Sequence, residues 1–148
     1  MEAYDRPMKY KKINQRTYVI SLAPGEEIIE TLDAFLAQER IDNAYFSGIG
    51  AMKKVELAHY RVDNKKYSSK VFEEPLEVAN LTGNAFLFEG KPLVHAHATL
   101  ANDRFETLAG HLVNGVISAA CEILLVKLDS QLQKTYSPEI GLKLLNIA

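Results

Sequence analysis

Cysteine occurs once in the 148 residues, at Cys121. A lone thiol cannot close an internal disulfide, and the expected setting is the reducing cytoplasm. No apolar run reaches the roughly 18 residues of a membrane-spanning helix. The opening MEAYDRPMKYKK also lacks the apolar stretch of a secretory signal, so a membrane partner is not expected. Repeats, low-complexity tracts and Pro/Ser-rich linkers are missing, which leaves no internal domain boundary. Positive charge is not in excess either: 17 Lys and Arg against 19 Asp and Glu give a net charge of −2. Proteins hold duplex DNA largely by neutralising phosphates with Lys and Arg, so only a local patch could serve here. The best patch is N-terminal, where Arg6, Lys9, Lys11, Lys12 and Arg16 outnumber Glu2 and Asp5. Such an arm could lie along phosphates, but a solvated edge that keeps the terminus soluble is the preferred reading. Direct DNA contact is therefore expected to be weak or indirect.

What remains is ordinary globular material, 47% hydrophobic and 24% charged, enough for one domain over residues 1–148. Tyr18, Ile20 and Leu22 alternate with Thr17 and Ser21, the period of a half-buried strand over 16–23. Pro24 and Gly25 break it. Glu26 and Glu27 then suit a helix N-terminus, and Ile28, Leu32, Phe35 and Leu36 keep helical spacing to about Arg40. Beyond this the period returns to two. Residues 54–72 predict a hairpin turning at Asp63–Lys66, followed by strands over Leu76–Phe88, Leu93–Leu100 and Val116–Leu128. Cys121 fills core volume in the last of these. The fold class expected is α+β with an antiparallel-dominated sheet.

The sharpest chemical feature is LVHAHATLAND followed by AGHL. Side chains two apart on a strand share a face. Val94, Ala96, Ala98 and Leu100 claim the core, so His95 and His97 point the other way. Imidazoles about 7 Å apart along a strand can close on one metal ion. If Phe105–His111 runs back beside that strand, His111 joins them, and three neutral imidazoles suit Zn²⁺ with a fourth position open to water or a small ligand. The competing reading is a set of hydrogen-bonded histidines in a polar face or subunit interface. His59, on a different hairpin, is read as a surface or interface histidine.

Several other groups invite a role. Glu122 could orient a ligand histidine, although an ion pair with an Arg is preferred. Asp103 and Glu106 could supply a ligand or a general base, but loop carboxylates are usually just solvated. Thr82 and Asn84 in LTGN could reach a ligand, although a turn role is preferred. Gly48 and Gly50 in SGIGA lack the third glycine and following helix of a phosphate cradle.

Gly25-Glu26-Glu27, Gly48-Ile49-Gly50-Ala51, Leu81-Thr82-Gly83-Asn84, Gly90-Lys91-Pro92-Leu93-Val94-His95-Ala96-His97-Ala98 and Gly110-His111-Leu112 follow one another in this order. Together they resemble the PPC (plants and prokaryotes conserved) domain, in its stand-alone prokaryotic form, over roughly residues 16–128. This leaves 1–15 as a basic arm and 129–148 as a tail that docks on the body or on a neighbouring subunit. The resemblance implies an antiparallel sheet flanked by two helices, a homotrimer, and zinc held by His95, His97 and His111. The second helix is expected near His111–Gly115 or Asp42–Ser47. The family's plant members reach DNA through a separate R-G-R-P hook, of which this chain has only Asp5-Arg6-Pro7. The function implied is a zinc-binding trimeric regulatory or interaction module, DNA-associated through partners. The alternative is a zinc-dependent hydrolase or lyase with catalytic residues unassigned.

Overall fold

A computed structural model describes residues 7–147. The elements run β1 (Lys9–Lys12), β2 (Thr17–Leu22), α1 (Ile28–Glu39), β3 (Ala44–Arg61), β4 (Lys66–Phe72), β5 (Leu76–Phe88), β6 (Lys91–Ala101), β7 (Thr107–Lys127), β8 (Gln133–Ser137) and β9 (Leu142–Asn146). Alternation decides which side of each strand meets the core. Tyr18, Ile20 and Leu22 are buried while Val19 and Ser21 face out, and the same period places Leu81 and Ala85 of β5 inside.

Two strands are long enough to serve several partners. Strand β7 pairs with β6 near its start, with β2 near its end and with β3 along most of its length. Strand β3 in turn pairs with β5 and then with β4. Since β5 also pairs with β6, the ladder closes as β3–β5–β6–β7–β3. Among the described residues only the contact of β5 with β8 is parallel. Gly50 lets β3 and β7 approach closely: a Cβ there would lie 2.6 Å from the Cys121 Cα. Gly48 and Gly50 thus belong to sheet packing, in keeping with the absence of a phosphate cradle.

Helix α1 lies against β6 and β7 and buries Ile28, Leu32, Phe35 and Leu36. Its start is built by two neighbouring carboxylates. Glu27 accepts the Glu30 N–H at its own N-cap and the Gly115 N–H from β7, both at 2.7 Å. Glu26 accepts the Met8 N–H at 2.8 Å and the Ala23 N–H at 2.7 Å. The helix therefore closes its orphan donors and ties itself to the sheet with the same side chains. Arg40, at φ 54°, ends it.

Two expectations need correction, the second helix and the turn role of Thr82 and Asn84. The second helix is not found among the described residues: 44–47 belong to β3, paired with β5 and β7, and His111–Gly115 to β7, whose backbone is engaged there by β3 and by the Glu27 carboxylate. The fold of the described residues is thus mostly β with one helix. Within the basic arm, Lys9–Lys12 add an exposed edge strand to β2, and Tyr10 packs edge-on against Phe35 at 5.0 Å. Arg6 lies outside the described residues. Thr82 and Asn84 are not in a turn but in mid-β5, directly opposite His97 and His95. The tail forms the β8–β9 hairpin and docks on its own body. Asn43 grips Leu132 through both backbone groups, and the Tyr60 hydroxyl donates to the Ile140 carbonyl at 2.6 Å.

Removing the Glu27 carboxylate strands two backbone donors at once. Glu27→Ala should cost about 2 kcal/mol, whereas Glu30→Ala, which removes only an exposed first-turn charge, should cost about 0.5 kcal/mol. Urea unfolding of both variants compares them directly.

Candidate metal centre

The core side of β6 is occupied by Ala96, Ala98 and Leu100, at most 2% exposed. His95 and His97 are thereby forced onto the opposite face. Strand β5 on one edge and β7 on the other fix that face in register, and β7 sets His111 directly opposite His97. The three imidazoles each offer a nitrogen, and these atoms lie within 4.8 Å of one another. Tetrahedral zinc with bonds of about 2.0–2.1 Å holds its nitrogen ligands roughly 3.3 Å apart, so modest side-chain rotation closes the set. The ring centroids stand 5.1 to 5.6 Å apart, with His97 edge-on to both others.

The polar accounting independently suggests a missing ligand. Among the described residues, two buried side-chain polar atoms have no hydrogen-bond partner: His111 Nδ1 and Asn84 Oδ1. Both belong to this site, since Asn84 sits opposite His95 on β5. Buried polar atoms normally find partners. An ion held by the imidazoles would satisfy His111, and an all-nitrogen donor set is chemically suited to zinc.

Electrostatics favour the neutral, metal-binding form of His95 and His111. Burial first, then the Lys134 ammonium and the other two imidazoles, push His95 down to about 4. Burial, His97 and Lys134 lower His111 as well. Lys134 is itself held below the usual lysine range by burial and by Lys143.

The triad opens into a cavity of about 860 Å³. The tail hairpin supplies one wall, with Lys134, Tyr136, Leu142 and Leu144; Tyr60, bonded to that hairpin, and Tyr67, against the His111 ring, also line the space. His59 is exposed at the same cavity but outside the triad. No Asp or Glu lines this space among the described residues. Asp103 and Glu106 lie instead in the β6–β7 turn, where Glu106 pairs with Arg104 at 2.7 Å and accepts from Asn102. Glu122 is exposed and enters no ion pair among the described residues, contrary to the expected pairing with an Arg. Lys134 was not singled out from the sequence: it is one lysine in a polar tail, and only the docking of that tail brings it to the histidines.

The profile of the Plants and Prokaryotes Conserved (PCC) domain matches residues 10–129. Solved structures agree. A protein from Bacteroides thetaiotaomicron, provisionally named for DNA binding, is 30% identical with a TM-score of 0.91 over 95% of this chain and 98% of its own. A metal-containing protein from Archaeoglobus fulgidus is 27% identical, with a TM-score of 0.83 over 93% of this chain and 100% of its own. A plant- and prokaryote-conserved protein from Pyrococcus horikoshii is 28% identical, with a TM-score of 0.83 over 95% of each chain. No match is found among curated proteins. No helix among the described residues is long and apolar enough to cross a membrane.

The depressed value of His95 has a measurable sign in the metal-free protein. Between its ordinary 6.5 and about 4 the unfolded chain binds more protons than the folded one. The stability contribution is therefore complete above pH 6.5 and is lost as pH falls toward 4. Thermal melting in excess chelator should show this decline, and His95→Ala should flatten it.

Proposed function

The chain belongs to the Plants and Prokaryotes Conserved domain family, and on that footing we propose that it is a zinc-binding homotrimeric module that regulates or docks partners in response to a ligand at the metal. The observation that carries this reading is the convergence of His95, His97 and His111, with the triad's own His111 Nδ1 and the neighbouring Asn84 Oδ1 left without partners. The metal-containing relative from Archaeoglobus supports it. Zinc on three imidazoles supplies a Lewis-acidic position open to water or a ligand. The chain's own residues favour neutral His95 and His111, aim the three rings into one cavity and wall it in part with apolar side chains.

The same ion could serve a hydrolase or lyase, but proton transfer would then need another base. Asp103, Glu106 and Glu122 all lie away from the cavity lining, which favours binding over turnover. DNA association is best assigned to partners. The lysines of β1 sit on a sheet edge, where such charges also discourage strand addition.

Assembly is supported by one outward sheet face. Val19, Leu124, Tyr45 and Ile49 stand on it through the β2–β7–β3 register and are 42 to 58% exposed. Large apolar groups gathered on one face suit contact with another copy.

Metal analysis of the purified protein should find about one zinc per chain, with His95→Ala/His97→Ala losing it while remaining folded. Absence of metal from the wild type, even after zinc addition, would leave the histidines structural. Light scattering should give a trimer, and Ile49→Glu with Leu124→Glu should shift it to monomer.

A further inference from the structure

The strongest unassigned group in the molecule is the Lys134 side chain. It is carried by β8 at the cavity wall and only 8% exposed. Among the described residues it enters no ion pair, although Arg16, Lys54 and Arg104 all do. It also makes no hydrogen bond there, and its one partner among them is the Phe86 ring, 6.0 Å away. The stem is buried while the ammonium is open to the cavity, where it has no counter-ion among the described residues. Lys143 lies on the same wall, and an ion held by the triad would add further positive charge. Lys143 already sits over the Phe88 ring at 4.2 Å, which leaves Lys134 as the free ammonium at the histidines. With no Asp or Glu in the lining, the negative charge must come from outside.

We infer that the cavity takes a small organic carboxylate, one of whose oxygens occupies the open position of the ion while the other accepts from the Lys134 ammonium. This rests on the metal reading above and names the ligand class of that site. A carboxylate offers two oxygens on one carbon, which suits a Lewis acid and a point-charge donor held side by side. The remaining wall, with Leu93, Val94, Leu142 and Leu144, accommodates a short hydrocarbon part. An inorganic phosphate would leave that apolar wall unused. It would also find neither an arginine among the lining residues nor a helix N-terminus, since the lining lies outside α1.

The test replaces zinc with Co²⁺ in the full chain and follows the visible absorption of the bound cobalt. Propionate should change the spectrum saturably, propionamide should not, and inorganic phosphate should act only at higher concentration. Lys134→Met should take up cobalt as the wild type does but need at least about tenfold more propionate, as expected for a lost charge-assisted hydrogen bond. Lys134→Gln provides a second variant should the first fail to fold, and the wild-type comparison of propionate with propionamide needs neither. Cobalt uptake without a response to propionate overturns the proposal alone, as does unchanged propionate affinity in the folded variants. Phosphate saturating below propionate overturns the carboxylate class. Failure of the wild type to bind cobalt overturns the metal reading and this proposal together.

Discussion

Burial of Ala96, Ala98 and Leu100 on one side of β6 is the constraint that determines the site. A strand has only two faces, and once the core has taken one the alternate residues have no choice. His95 and His97 are held outward by packing on the far side of their own backbone. The circuit β3–β5–β6–β7 then removes the remaining freedom. With a neighbour on either edge, β6 cannot slip by one residue without turning its alanines out and its histidines in. The cost of that slip, several buried apolar side chains against two desolvated imidazoles, protects the register far more strongly than any contact within the triad.

The energetics of the site run against those of the fold around it. Three imidazoles and an ammonium share one cavity, and burial together with these neighbours makes His95 and His111 harder to protonate. Nothing among the described residues offsets this with negative charge. A folded protein normally avoids such an arrangement, because unsatisfied polar atoms and unpaired charge reduce a small stability margin. Its presence on a rigid sheet is the structural mark of a place prepared for something else, consistent with the general tendency for local rules to fail at functional sites.

Much of this was legible in the sequence. The strand Leu76–Phe88, the hairpin over 54–72 and the helix opening at Glu26 and Glu27 come from period and capping chemistry, which are local properties. The pair His95 and His97 comes from the same alternation. His111 required a guess about which strand returns beside β6, and the family resemblance supported it. What stayed hidden was non-local. Asn84 sits in a Thr-Gly-Asn sequence that looks like a turn, yet pairing on both edges of β5 overrides that preference. The second helix expected at Asp42–Ser47 or His111–Gly115 gives way to strand through non-local pairing as well. Glu122 was expected to need a partner because its neighbours are apolar, but it lies on the outward face. Lys134 could not be found by period or motif, since its position depends on where a distant hairpin comes to rest.

The family match ends at residue 129, whereas the wall carrying Lys134, Tyr136, Leu142 and Leu144 is built from the residues C-terminal to it. The segment that gathers the imidazoles and the segment that shapes the chamber before them are thus separable in the chain. Substitution in the closing hairpin can alter which molecules fit without disturbing the strand register that aims the rings. Sequence change in the final hairpin can therefore reshape the chamber while the three imidazoles stay where the strand register puts them.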